Sequence, residues 1–172
     1  MASLMENLIE VLNAESQEYK SLLGLSSQKT PVIVAGDLNE LAIITDEEQA
    51  VVSKIENLEK RRNDVFADIA NVINKDVNTL KLSDLILMLA KRPDEQQKLA
   101  KAHDELKTIV REVKRVNEQN RDLINNAMEM VEFNLNLIQA AQTAPETANY
   151  NRGAYNTGDQ MGIDRSGFDA KQ

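Results

Sequence analysis

The chain has no cysteine and no tryptophan, a single histidine, three prolines and six glycines among 172 residues. Each shortage removes a class of function. Without cysteine there is no disulfide framework and no thiolate to hold zinc, which fits a reducing cytosol. His103 is the only imidazole, and the residue three before it is Ala100, where a di-iron helix bundle carries Glu. Gly36 stands alone, so no glycine-rich loop is present to cradle a phosphate. Aromatic residues make up 3% of the chain, which suits helices zipped by aliphatic side chains better than a sheet core. No apolar run approaches the roughly 18 residues of a membrane span. The start, Met1-Ala2-Ser3-Leu4-Met5-Glu6, has neither the basic residues nor the apolar core of a signal peptide. The expectation is a cytoplasmic protein that is not a membrane protein. A formal net charge of −8 argues against a nucleic-acid partner, because a basic face supplies most of that affinity. Most of the 28 acidic residues fall on helix faces and in caps, where solvation accounts for them. No enzyme, metal site or cofactor is expected.

What the chain does have is one long periodic stretch, from Asp94 to about Ile138, without Gly or Pro. Leu99, Ala102, Leu106, Ile109, Val113 and Val116 open an apolar stripe at steps of three and four. Leu123, Ala127, Met130, Asn134 and Ile138 continue it beyond Asn120, and Ile124, Met128, Val131 and Leu135 widen the face. Such a helix is about 68 Å long, more than one small globular core needs. It requires partners along its length. Asp94 with Gln97 forms a capping box after Pro93.

The rest of the chain supplies those partners. Ser3 and Glu6 cap a first helix predicted over roughly 4–25, with Leu4, Leu8, Val11, Leu12, Tyr19, Leu22 and Leu23 on its apolar face. Ser26 to Pro31 predicts a kink or short break, because a proline disfavours helix at the preceding residue. Gly36-Asp37 is the clearest punctuation: Gly36 ends one segment and Asp37 with Glu40 caps the next. Leu38, Leu41, Ile44, Glu48, Val51, Ile55, Leu58, Arg62, Val65 and Ile69 then mark a second long helix. Residues 74–81 predict a loop. Residues 82–90 predict a short apolar helix capped by Ser83 that plugs the end of the hairpin. The fold class is therefore all-α: an elongated antiparallel helical hairpin or coiled-coil bundle of about three long helices plus a short one.

The composition changes after Ala140. Residues 141–172 hold four of the six glycines and neither Leu nor Val, which predicts a flexible polar tail after a helical domain over 1–140. Tyr150, Tyr155 and Phe168 stand out in that tail as anchors for a partner. Just before it, Met128, Met130, Phe133, Leu135, Leu137 and Ile138 make the helix apolar almost all round. Either the first helix closes over this end or an apolar binding surface remains. Asn117 and Asn120 carry a similar choice. Asn120 falls on the stripe itself, as a buried residue that fixes register or as a polar contact to a bound peptide.

Four stretches resemble a known family. They are Glu18-Tyr19-Lys20-Ser21-Leu22-Leu23 with Ala35-Gly36-Asp37-Leu38-Asn39-Glu40-Leu41; Ile44-Thr45-Asp46-Glu47-Glu48-Gln49-Ala50 with Leu58-Glu59-Lys60-Arg61-Arg62; Asn117-Glu118-Gln119-Asn120-Arg121-Asp122-Leu123; and Tyr155-Asn156, Gly158 and Phe168-Asp169-Ala170-Lys171. Their order and spacing resemble the flagellar export chaperone FlgN family, in the form found in Gram-positive bacteria. Pro31 departs from the family's unbroken helix. The resemblance implies a cytosolic chaperone of type III flagellar export, one that binds the C-terminal helical segments of hook-associated junction proteins. It would prevent their premature assembly and deliver them to the flagellar export gate. The client helix would lie along Asn117, Asn120, Ile124, Met128, Val131, Leu135 and Ile138, with the tail aromatics touching client or gate. The alternative is a coiled-coil scaffold that self-associates, as a homodimer or larger, with an inert tail.

Overall fold

The computed structural model describes residues 2–143; the expected tail anchors Tyr150, Tyr155 and Phe168 lie outside them. Four α-helices form in order: α1 (Ala2–Ala35), α2 (Leu38–Val72), α3 (Leu82–Met88) and α4 (Pro93–Thr143). A single 3-10 turn, Leu89–Lys91, follows α3. The described residues contain no strand. They divide into two units, 2–129 and 130–143, and α4 contributes to both.

The turn between α1 and α2 is built as its sequence predicts. Gly36 takes a left-handed φ of 69°, a conformation that costs glycine nothing. Its N–H donates to the Ile33 carbonyl at 3.1 Å, and the Asp37 N–H reaches back to Val32 at 3.2 Å. Those two bonds close the last turn of α1 in the manner of a Schellman motif. Asp37 then caps α2, its Oδ1 accepting from the Glu40 N–H at 3.0 Å. Chain reversal and helix restart occupy two residues.

Pro31 does not break α1, contrary to the sequence expectation. It removes only the bond that its own N–H would have made to the Ser27 carbonyl. Ser27 and Pro31 are both exposed, so that carbonyl faces outward. On the opposite side Ser26 and Ile33 are buried, and tertiary packing holds the helix through the proline. The boundary of the first helix therefore moves from about 25 to Ala35.

The core of the first unit lies at the α3 end. Leu8, Leu12, Ile69, Leu85 and Leu99 are essentially inaccessible, and Met5, Val65, Leu89 and Ala102 pack with them. Burial of each large aliphatic side chain contributes roughly 2 kcal/mol. α3 and the 3-10 turn after it do plug the hairpin end, through Leu85 and Leu89 respectively. Its cap differs from expectation: the residue before the first turn is Lys81, not Ser83. Asp84 Oδ2 accepts from the Lys81 N–H at 3.0 Å. Gln96 Nε2 donates to the Ile86 carbonyl at 2.8 Å and ties the start of α4 to α3. α4 begins at Pro93 itself, whose missing N–H has no partner to lose at a first helical position. A second, smaller core joins Leu22, Ile55 and Val113, one residue from each long helix.

Candidate functional site

Three polar contacts interrupt the aliphatic seams, and they fix which residue meets which. Glu48 and Arg62 occupy stripe positions of α2. Arg62 Nη1 donates to Glu15 Oε2 of α1 at 2.7 Å. Glu48 accepts from Ser26 Oγ and from Lys29 Nζ, both at 2.7 Å. The third contact brings in α4, where Asn120 Nδ2 donates to the Ser26 carbonyl at 2.7 Å. Asn120 Oδ1 accepts from Thr30 Oγ1 at 2.6 Å. A slip of α4 by one turn would strand the Asn120 amide, and a slip of α2 along α1 would strand Glu15, Arg62 and Glu48, a cost that leucines alone could not impose.

Glu15 was not singled out by its sequence, although it lies on the α1 stripe between Leu12 and Leu22. It is fully buried. Burial pushes its carboxyl above the ordinary 4.5, with Arg62 pulling it back and Glu59 pushing the same way as burial. Glu15 Oε1 and Ser16 Oγ are buried without a hydrogen-bond partner among the described residues. Nearby, Tyr19 Oη donates to Glu59 Oε1 at 3.1 Å. Burial, then the Glu59 carboxylate, push that phenol up to about 12.

The long helices do not close on every side. A trough of ≈ 490 Å³ runs between α2 and α4, with Tyr19 and Leu22 of α1 on its floor. A second hollow of ≈ 400 Å³ adjoins it toward α3, floored by Leu8 and Leu12 and walled by Phe66 and Leu106. Val110 lines both, so the two form one continuous depression. Periodicity does not reveal such a trough. It reports which face of a helix is apolar, not which two helices flank an opening.

The seven residues foreseen as a client face fall into three groups. Asn120 is buried, 4% exposed, and its amide is taken up inside the chain. That is the register-fixing role weighed above, so a peptide contact has to rest on the other positions. Asn117 is exposed on the trough edge, and Ile124 is half-buried. Met128, Val131, Leu135 and Ile138 are exposed, as are Met130, Phe133 and Leu137; these seven side chains are 53–67% accessible. Among the described residues no group of His, Cys, Asp and Glu could hold a metal ion, and no helix is long and apolar enough to cross a membrane. His103 Nδ1 lies 3.1 Å from the exposed Asp104 carboxylate and has no further polar partner of that kind.

The chain matches the model of the FlgN protein family over residues 1–157. The chain belongs to the FlgN family. FlgN proteins are chaperones of flagellar assembly that act in export. The chain is also similar to an uncharacterized protein, YvyG, of Bacillus subtilis (strain 168). The two are 26% identical over 145 residues, 84% of this chain and 83% of that one. No solved structure matches. In this FlgN protein the longest cluster of exposed large apolar side chains among the described residues falls at 128–138 of α4.

Proposed function

We propose that this FlgN protein is a cytosolic export chaperone whose client is the C-terminal helical segment of a hook-associated junction protein. The client helix lays its apolar face along Ile124, Met128, Val131, Leu135 and Ile138, with Asn117 at the edge. It then travels with the chaperone to the flagellar export gate. One observation carries the reading: in a chain of a flagellar chaperone family, seven large apolar side chains within residues 128–138 are more than half exposed. Exposed apolar surface of that density is costly to leave in water and is what an amphipathic helix covers. Methionines at 128 and 130 suit a surface that accommodates more than one client. The acidic surface keeps the loaded complex apart from its neighbours.

Titration calorimetry of the full chain with the C-terminal segment of each of the two junction proteins tests this. Binding of one segment per chaperone chain is expected. Absence of heat with both segments would overturn the client reading and leave a helical scaffold.

A further inference from the structure

A further hollow, of ≈ 200 Å³, opens where α4 passes α1. It is lined by Lys29 of α1 and by Asn117, Asn120, Arg121, Ile124 and Asn125 of α4. In a chain of net charge −8 its lining holds two cations and three amides, and no carboxylate. Lys114 and Arg115, one to two turns earlier on α4, have acid partners in Glu118 and Glu112. Arg121 is exposed and has no such partner among the described residues. Lys29 Nζ gives one hydrogen bond to Glu48 Oε2 at 2.7 Å, and an ammonium has three to give. The Asn120 amide is already committed to Ser26 and Thr30, while Asn117 and Asn125 are exposed. The hollow is therefore rich in N–H groups with capacity to spare.

Ile124 belongs both to this hollow and to the apolar stripe assigned to the client. A helix lying on the stripe thus has one of its ends here, and the two ends of a helix differ chemically. Its N-terminus offers unpaired N–H groups and partial positive charge, which Lys29 and Arg121 would repel. Its C-terminus offers four unpaired carbonyls and partial negative charge, and a full charge where the chain also ends. With a diameter of about 10–12 Å a helix cannot enter so small a space bodily. A carboxylate can.

We propose that this hollow receives the free C-terminal carboxylate of the client, so that the client helix runs antiparallel to α4 with its last turn at Arg121. The inference rests on the client reading above and adds a direction and a selectivity to it. The Arg121 guanidinium holds the carboxylate through paired N–H donors, and Lys29 supplies the second charge. The Asn117 and Asn125 amides take up carbonyls of the last turn. An internal helix of the same apolar pattern would bring only a neutral peptide bond to this place. The chaperone is thereby selective for a chain end, rather than for any amphipathic helix.

Calorimetry of the full chain with the C-terminal segment of each junction protein, made once as the free acid and once as the C-terminal amide, tests this. The amide should bind about tenfold more weakly, as expected for the loss of a charge-assisted hydrogen bond. Arg121→Gln should bind both forms with the weaker affinity. Lys101→Gln, which removes the same charge from an exposed site five turns away on α4, should keep the full difference. Helical circular dichroism checks that both variants fold. Equal binding of acid and amide by the unaltered chain would overturn the carboxylate site and leave the client reading standing. So would a preference for the acid that persists undiminished in both Arg121→Gln and Lys29→Gln. No heat with either form would remove the client reading, and this inference with it.

Discussion

Asn120 of α4 and Ser26 of α1, 94 positions apart, are joined by a bond of 2.7 Å from the amide to a helix carbonyl. Ser26 already donates its hydroxyl to Glu48 of α2. One small residue on the first helix therefore gathers the polar groups of all three long helices at one level.

The first prediction concerns that junction. Asn120→Ala removes the partner of Thr30 Oγ1 and the second bond to the Ser26 carbonyl inside a buried seam. A loss of about 1–3 kcal/mol is expected, the usual cost of orphaned buried groups. Chemical denaturation followed by circular dichroism measures it. A change within error of zero would mean that the seam repacks and that Asn120 does not set the register.

Glu15 gives a pH-dependent outcome. Its carboxyl is raised above 4.5 in the folded chain because burial outweighs the pull of Arg62. The folded state thus holds the proton more tightly than the unfolded one. Stability from this group is fully present below 4.5 and falls as pH rises through the higher folded value. Glu15→Gln keeps an acceptor for Arg62 and cannot ionise. Its melting temperature relative to the unaltered protein should therefore climb as pH is raised from 4 toward neutrality, on the order of the window named by the raised carboxyl. A difference that is flat, or that shrinks with rising pH, would contradict the sign.

Much of this was legible in the chain, and the misses have physical causes. The α2 stripe, with Glu48 and Arg62 inside it, was legible because its periodicity runs unbroken from Leu38 to Ile69. The Gly36-Asp37 turn was legible because only its own backbone decides it. Pro31 misled because a local rule cannot weigh Ile33, buried on the far side of the helix. Glu15 escaped notice because a carboxylate on a helix is ordinarily solvated; its place in the α1 stripe, between Leu12 and Leu22, was the available signal. The trough stayed hidden because an apolar face does not say what it meets.

Tyr19 supplies the third prediction, at the alkaline end. Burial and the Glu59 carboxylate hold its phenol neutral to about 12. The stability it lends is complete below 10 and lost as pH rises from 10 to about 12. An absorbance titration of the phenols should contain one component that ionises well above 10, and Tyr19→Phe should lack it. If all phenols ionise together near 10 while the helical signal is intact, Tyr19 is not held in this way.

The last prediction separates core from binding surface. Met128 and Leu135 are 66% and 53% exposed, so neither fills space in the folded monomer. A pair of aspartates there, Met128→Asp with Leu135→Asp, exposes no cavity and buries no charge. The helical signal and the midpoint of chemical denaturation at low protein concentration should change by less than about 1 kcal/mol, the range typical of surface substitutions. Client binding should nevertheless vanish from the calorimeter, because two carboxylates would have to be desolvated beneath the incoming helix. A variant that unfolds would identify these side chains as core. One that folds and still binds would move the client to another face.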